Sequence, residues 1–363
     1  MTVLRITRTY PNVKYKSIGL QTYMFAKYYH DRSIIFSKKS VHKALQQKKV
    51  DLYESYYPEI SLDSGFFFQN YISIILKIIG NLIFLKKIFF YVNFKNISFI
   101  HIHNLNFLLT GILLKKIFKK KIFLSIGGTD IKRLKNKKLF LYLINNVDLV
   151  FSVSLNLKKQ FNSLYPNITC RYIGNGVDLN KYKFKKNNIK KNIIAIGNIR
   201  WQKDYATLIQ AFSKSKIKSK YKLLICGGIL EKREYQKIKK IVKERRLEKK
   251  IIFKGFCSQK KILNLLQNSK VLALSSISEG LPKVILEAIA CHIPVVSTNV
   301  GDNATILKKT GLISPKKNIH QFSKNLDKMC NNKILYQQLV KNCNSEKTKY
   351  SWENISKNAF KYY

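Results

Sequence analysis

VLALSSISEGLPKVILEAIACHIPVVSTNVG, residues 271–301, is the stretch whose reading decides the fold. An apolar run at 271–274 ends in small polar residues, and Glu279 and Gly280 precede Pro282. An apolar-periodic segment carrying Glu287 follows, and Pro294 opens a second β-branched run. This succession predicts a strand, a tight loop, a short helix over residues 282–291 and another strand. Pro282 suits the first turn of the helix, where a missing N–H loses nothing. His292 falls just past its end, where a residue tolerant of positive φ is wanted.

The chain has only 19 acidic residues, yet two of them, Glu279 and Glu287, stand eight positions apart in its most apolar neighbourhood. A carboxylate accepts two hydrogen bonds from a pair of vicinal hydroxyls. A helix N-terminus preceded by glycine offers free N–H groups and a positive dipole end to a phosphate. Such a site suits a sugar and a ribose joined by a diphosphate. The same letters also fit a plainer reading, in which Glu279 caps or solvates the loop and Glu287 lies on an exposed helix stripe.

The phrase SISEGLPKVILEAIACHIPVVSTNVG resembles the signature of the retaining glycosyltransferases of family four, with the E-x7-E pair kept as Glu279 and Glu287. The resemblance implies an α/β chain of the GT-B fold: two Rossmann-like, doubly wound parallel-sheet domains facing a central cleft. It places an acceptor-binding domain at residues 1–180, with an interdomain linker near 174–191, and a nucleotide-sugar-binding domain at 192–345. A terminal helix at 346–363 is expected to cross back to the first domain. The implied reaction moves a hexose, with retention, from a nucleoside diphosphate sugar to a glycan or lipid-linked acceptor, as in cell-surface polysaccharide biosynthesis.

The same resemblance assigns roles. Glu287 would hold the ribose hydroxyls, and Glu279 with the backbone of Gly280 and Leu281 would hold the sugar. The base would stack near Gly255 and Phe256. The family commonly has an arginine directly after the glycine at Gly197 and a lysine a few residues on. Here Asn198 stands at the arginine position, Arg200 lies two further along and Lys203 keeps the lysine spacing. Lys203 and Arg200 are therefore expected at the diphosphate, with Arg200 as a solvated surface residue the alternative. Gly19 is the glycine remaining in a first loop that in the family faces diphosphate and acceptor; an ordinary βα turn is the other reading. Two departures stand out: Gly127 replaces the histidine of the family's HG-x-D turn, and Asp302 stands where a glutamate is frequent. No D-x-D motif is present, so the cations and the helix dipole are expected to neutralise the diphosphate without a metal or other cofactor.

Working outward, apolar runs at 3–6, 99–103, 122–126, 147–153, 192–196, 223–228 and 251–256 alternate with helical stretches such as 231–249. This βα repetition predicts parallel sheets with helices on both faces. In the tail YSWENISKNAFKYY, Trp352, Ile355 and Phe360 have helical apolar spacing. His101 and His103 alternate along a strand and read as structural.

The formal net charge of +49 invites a polyanion partner. Most of the excess is lysine spread along an Asn-, Ile-, Phe- and Tyr-rich chain, a pattern that compositional bias also produces. Nucleic acid is not expected, since no recognisable binding module is present. An anionic membrane surface is: residues 65–100 form a strongly apolar helical stretch broken by Lys77, Lys86 and Lys87, and LKKIFKKKI follows at 114–122. Those features predict a helix lying on a membrane or a core helix with a solvated lysine face. Six scattered cysteines without a C-x-x-C pair read as free thiols of a reducing compartment. The start, MTVLRITRTYPN, lacks an export signal, so a cytoplasmic, peripherally membrane-bound protein is expected. The competing functional reading is a non-catalytic basic membrane-surface protein with a degenerate GT-B fold.

Overall fold

The computed structural model describes residues 2–9, 20–29, 32–39, 49–54, 67–128, 130–136, 142–184 and 192–363. Gly19 lies outside them. The chain divides into two compact units, residues 1–174 with 355–363, and residues 175–354.

The first unit is built on a seven-stranded parallel sheet in the order β3-β2-β1-β4-β5-β6-β7. Its strands are β1 (Thr2–Thr9), β2 (Arg32–Lys39), β3 (Val50–Glu54), β4 (Ile97–Ile102), β5 (Lys121–Ile126), β6 (Leu149–Ser152) and β7 (Cys170–Tyr172). Strands such as LVFS of β6 are buried throughout because helices cover both faces, which is why they read as unbroken apolar runs rather than alternating ones. On one face Leu4 and Ile6 join Phe84, Ile100, Leu124 and Val150 in the core. The other face holds a buried polar centre. Arg5 is fully buried and donates to Ser33 Oγ at 3.3 Å, meets His101 Nδ1 at 3.2 Å and reaches the Tyr363 hydroxyl at 3.2 Å. His101 also bonds Ser125 Oγ at 2.9 Å, in keeping with a structural histidine.

The second unit has a six-stranded parallel sheet in the order β10-β9-β8-β11-β12-β13. These strands are β8 (Asn192–Ile196), β9 (Lys222–Cys226), β10 (Ile251–Gly255), β11 (Ser269–Leu274), β12 (Val295–Thr298) and β13 (Gly311–Ser314). Side chains start several of its helices: Asp204, Ser258, Asn318 and Asn332 each accept a hydrogen bond from a first-turn backbone N–H. Strand order reverses between β8 and β11, so the loops leaving these two strands start side by side at the carboxyl ends where ligands of such sheets bind.

The expected strand–loop–helix–strand unit is present as β11, helix Lys283–Ala290 and β12. Pro282 is the N-cap, with extended backbone, rather than a first-turn residue. His292 has φ of 55°, the positive value that its place demands. The 25-residue helix Phe67–Tyr91 accounts for most of the apolar stretch at 65–100, and the tail forms helix Trp352–Phe360. All six cysteines are free.

Candidate active site

The site is built in the second unit at the point where strand order reverses. Gly197 follows β8 with φ of 154°, and the turn after it, NIRWQK, returns through a short 3-10 segment, Trp201–Lys203. This turn lies so close to the one after β9 that a Cβ on Gly227 would fall 2.0 Å from the Gly197 carbonyl oxygen. Asn198 Oδ1 accepts from Gly228 N at 2.9 Å and ties the two turns together. The residue standing at the family's arginine position thus has a structural task, which a guanidinium, having no acceptor, cannot perform.

From this turn Lys203 Nζ reaches Glu279 Oε1 at 2.6 Å, across from the loop that leaves β11. Only 12% and 13% of the two side chains are exposed, so the pair is largely withdrawn from water. Ser276 Oγ donates to the same carboxylate oxygen at 2.7 Å. Ser275 Oγ donates to the carbonyls of Lys203 and Asp204, both at 2.9 Å, and Ile277 N to the Gln202 carbonyl at 2.9 Å. The two loops are therefore stitched together by backbone and hydroxyl contacts as well as by the ion pair. Tyr205 donates to the Gly197 carbonyl at 2.6 Å, and its hydroxyl is held protonated chiefly by burial. Arg200 is half-buried beside Tyr205, where its charge opposes that effect.

The loop 275–282 is braced from below. Gly301 has φ of 55°, and a Cβ there would meet the carbonyl oxygens of Glu279 and Gly280 at 2.4 and 2.5 Å. Asp302 N donates to the Gly280 carbonyl at 3.1 Å. Leu281 turns its side chain into the core, leaving its backbone to shape the loop.

Helix Lys283–Ala290 buries Val284, Ile285, Leu286, Ala288, Ile289 and Ala290, leaving Lys283 exposed and Glu287 half-buried. Glu287 Oε1 accepts from the Tyr182 hydroxyl at 2.8 Å. Burial raises the Glu287 carboxyl above the usual carboxylate value, an effect that Tyr182, Lys283 and Lys181 partly offset. Gly255, with φ of 63°, ends β10, the outer strand of the sheet, and the Phe256 ring after it is 84% exposed.

The structure thus brings Lys203 and Glu279 into contact and sets Glu287 on the helix that follows. Glu279 is paired in a near-buried site rather than solvating the loop, whereas Glu287 lies with Lys283 on the one stripe of its helix that is not buried, as the plainer reading also expects. Sequence reasoning missed Ser276, which it read as a small polar strand end, and Tyr182, which lies in the stretch read as linker. Tyr182 is 6% exposed and packs with Ile194, Leu224 and Ile285. A tyrosine among lysines and asparagines was the available signal.

In the first unit, Gly127 N donates to Asp130 Oδ2 at 2.7 Å, so the glycine at the histidine position is tied to the first residue of helix Asp130–Asn136. Burial raises the Asp130 carboxyl.

Two parallel sheets of seven and six strands, each in doubly wound order, define the GT-B class of glycosyltransferase architectures. The solved structure of sucrose-phosphate synthase from Thermosynechococcus elongatus superposes with a TM-score of 0.81, covering 100% of this chain and 98% of that one at 14% identity. Anabaena HepE, solved in complex with UDP, gives 0.78 over 99% of both chains at 16% identity. These two likenesses establish the fold. Residues 176–346 match the family model described as glycosyl transferases group 1. The chain is also 29% identical over 226 residues to N-acetyl-alpha-D-glucosaminyl L-malate synthase of Bacillus anthracis, covering 57% of this chain and 58% of that one. It spans about three fifths of the length of curated relatives it matches, 59% and 58% for two of them. Family model and relatives together support a group 1 glycosyltransferase, with the match to the family model carried by the second unit.

Proposed function

We propose that the protein transfers a hexosyl group, with retention of configuration, from a nucleoside diphosphate sugar to a hydroxyl of a glycan or lipid-linked acceptor. The observation that carries this reading is the Lys203–Glu279 pair, largely shielded from water, at the reversal point of the second sheet. Ligands of such sheets bind at that point, beyond the strand carboxyl ends.

In this reading Glu287 holds the ribose hydroxyls, with Tyr182 orienting the carboxylate from one oxygen. The base lies against Gly255 and Phe256. Glu279, steadied by Ser276, accepts from the sugar hydroxyls with help from the Gly280 and Leu281 backbone. Lys203 and Arg200 face the diphosphate, and fixed cations stabilise the charge that grows on it as it departs. During transfer the bond between the anomeric carbon and the phosphate oxygen breaks. The acceptor oxygen bonds to that carbon on the same face, and its proton passes to the departing phosphate. No protein carboxylate acts as a covalent nucleophile. The UDP bound by HepE makes a uridine donor the first to try.

The test is release of free nucleotide from a panel of UDP-, GDP- and ADP-sugars by the purified protein, with and without EDTA. One donor is expected to be turned over, undiminished by the chelator. A chain that binds none of them and releases no nucleotide is not a glycosyltransferase.

A further inference from the structure

The first unit carries an apolar face that its own core does not cover. Helix Phe67–Tyr91 buries Asn81, Phe84 and Ile88. On its outer side Ile75, Ile78, Ile79, Leu82, Phe89 and Phe90 recur at helical spacing and are all exposed, Leu82 by 50% and Phe90 by 84%. At 1.5 Å per residue this stripe is roughly 22 Å long. At its C-terminal end Phe89 packs on Phe118 with ring centroids 5.1 Å apart, so the stripe runs into the end of helix Leu108–Phe118. There Ile117 is 52% exposed, and Lys115, Lys116, Lys119, Lys120 and Lys121 line an open recess of about 410 Å³. Asp148, in the same recess, is engaged by Lys115 at 2.6 Å.

We infer that this face binds an anionic lipid bilayer, the stripe lying in the interfacial layer and the lysine recess receiving head-group phosphates. No helix among the described residues is long and apolar enough to cross a membrane, so the stripe lies along the surface. The occupant follows from charge complementarity. A second copy of a chain with net charge +49 brings like charge to like. A nucleic acid neutralises the lysines but leaves the aliphatic stripe in water. An anionic bilayer satisfies both, because lysine stems reach the head groups while Ile, Leu and Phe enter the acyl boundary.

The test is co-sedimentation of the full chain with vesicles of phosphatidylcholine alone, or of phosphatidylcholine with about 30 mol% phosphatidylglycerol, at low and high salt. The chain is expected to pellet with the anionic vesicles, weakly with the neutral ones, and less in high salt. Leu82→Glu and Phe90→Glu should each weaken binding on the order of tenfold. Lys116→Gln, Lys119→Gln and Lys121→Gln should each weaken it by about fivefold. All five positions are exposed, so thermal melting should be unchanged, and donor-dependent nucleotide release without vesicles should persist in every variant. That release separates failure of the membrane face from failure of the transferase reading. Three outcomes overturn the inference: equal binding to both vesicle types, wild-type binding by the glutamate and glutamine variants, or a concentration-dependent dimer that Leu82→Glu dissolves. Capture by duplex DNA that displaces vesicles and is insensitive to Leu82→Glu overturns it too.

Discussion

Glu287 sits on a helix whose other side chains, apart from Lys283, are buried and apolar, and it keeps its place there through Tyr182. Removing it with Glu287→Ala is expected to weaken donor affinity by tenfold or more, on the scale of about 1.5–3 kcal/mol for hydrogen bonds to a charged group. Titration calorimetry with the nucleotide alone checks this, and unchanged affinity would remove the ribose assignment. Glu279→Ala is expected to lower turnover more than affinity, because in the proposed reading it acts on the sugar and holds Lys203, the cation assigned to the departing phosphate. Steady-state kinetics separate the two effects. Gly301 leaves no room for a side chain. Its positive φ and the two carbonyls within 2.5 Å of an added Cβ mean that Gly301→Ala must push the Glu279 loop away. The expected loss is at least about 1–2 kcal/mol of stability together with reduced turnover, read by thermal denaturation and by the nucleotide-release assay.

At the scale of elements, helix Tyr205–Lys214 shows how the site depends on a start signal. Asp204 accepts from Thr207 N at 3.3 Å and from Thr207 Oγ1 at 2.7 Å, and it joins the 3-10 turn that ends in Lys203 to the helix. Asp204→Ala is expected to lower stability by about 1 kcal/mol, measured by urea denaturation, and to loosen Lys203 with it. The helical stretch at 231–249, which holds helix Lys232–Glu244, was legible in the sequence. So were most strands of the second unit, because a strand covered on both faces is a continuous apolar run. β2, β3 and β7 were not: RSIIFSKK and VDLYE mix polar with apolar residues, and CRY is three residues long. Their strand character comes from pairing within the sheet rather than from local pattern.

At the scale of the whole molecule, stability carries a pH signature from the first unit. Burial, first of all, holds His101 and His103 well below the ordinary histidine value of 6.5, with Arg5 adding to the effect on both. The folded chain therefore keeps them neutral while the unfolded chain protonates them below about pH 6.5, so the unfolded state binds more protons there. Stability is expected to fall as pH drops from 7 toward 5, by up to about 1.4 kcal/mol per pH unit for each histidine. Urea midpoints across that range check it, and His101→Phe should flatten the slope.

The order of apolar runs and the helix punctuation between Gly280 and His292 were enough, read as letters, to indicate βα repetition and to single out Glu279 and Glu287, while the domain bounds and Lys203 came with the family resemblance. Each of those signals is local: periodicity, a turn residue, a spacing along one chain segment. Tertiary structure alone decided that Lys203 meets Glu279, that Tyr182 steadies Glu287, that Asn198 fastens two turns and that one face of helix Phe67–Tyr91 stays uncovered. Those facts depend on strand order, and strand order is set by which buried faces pack together across many residues, a property that no single stretch of the chain carries.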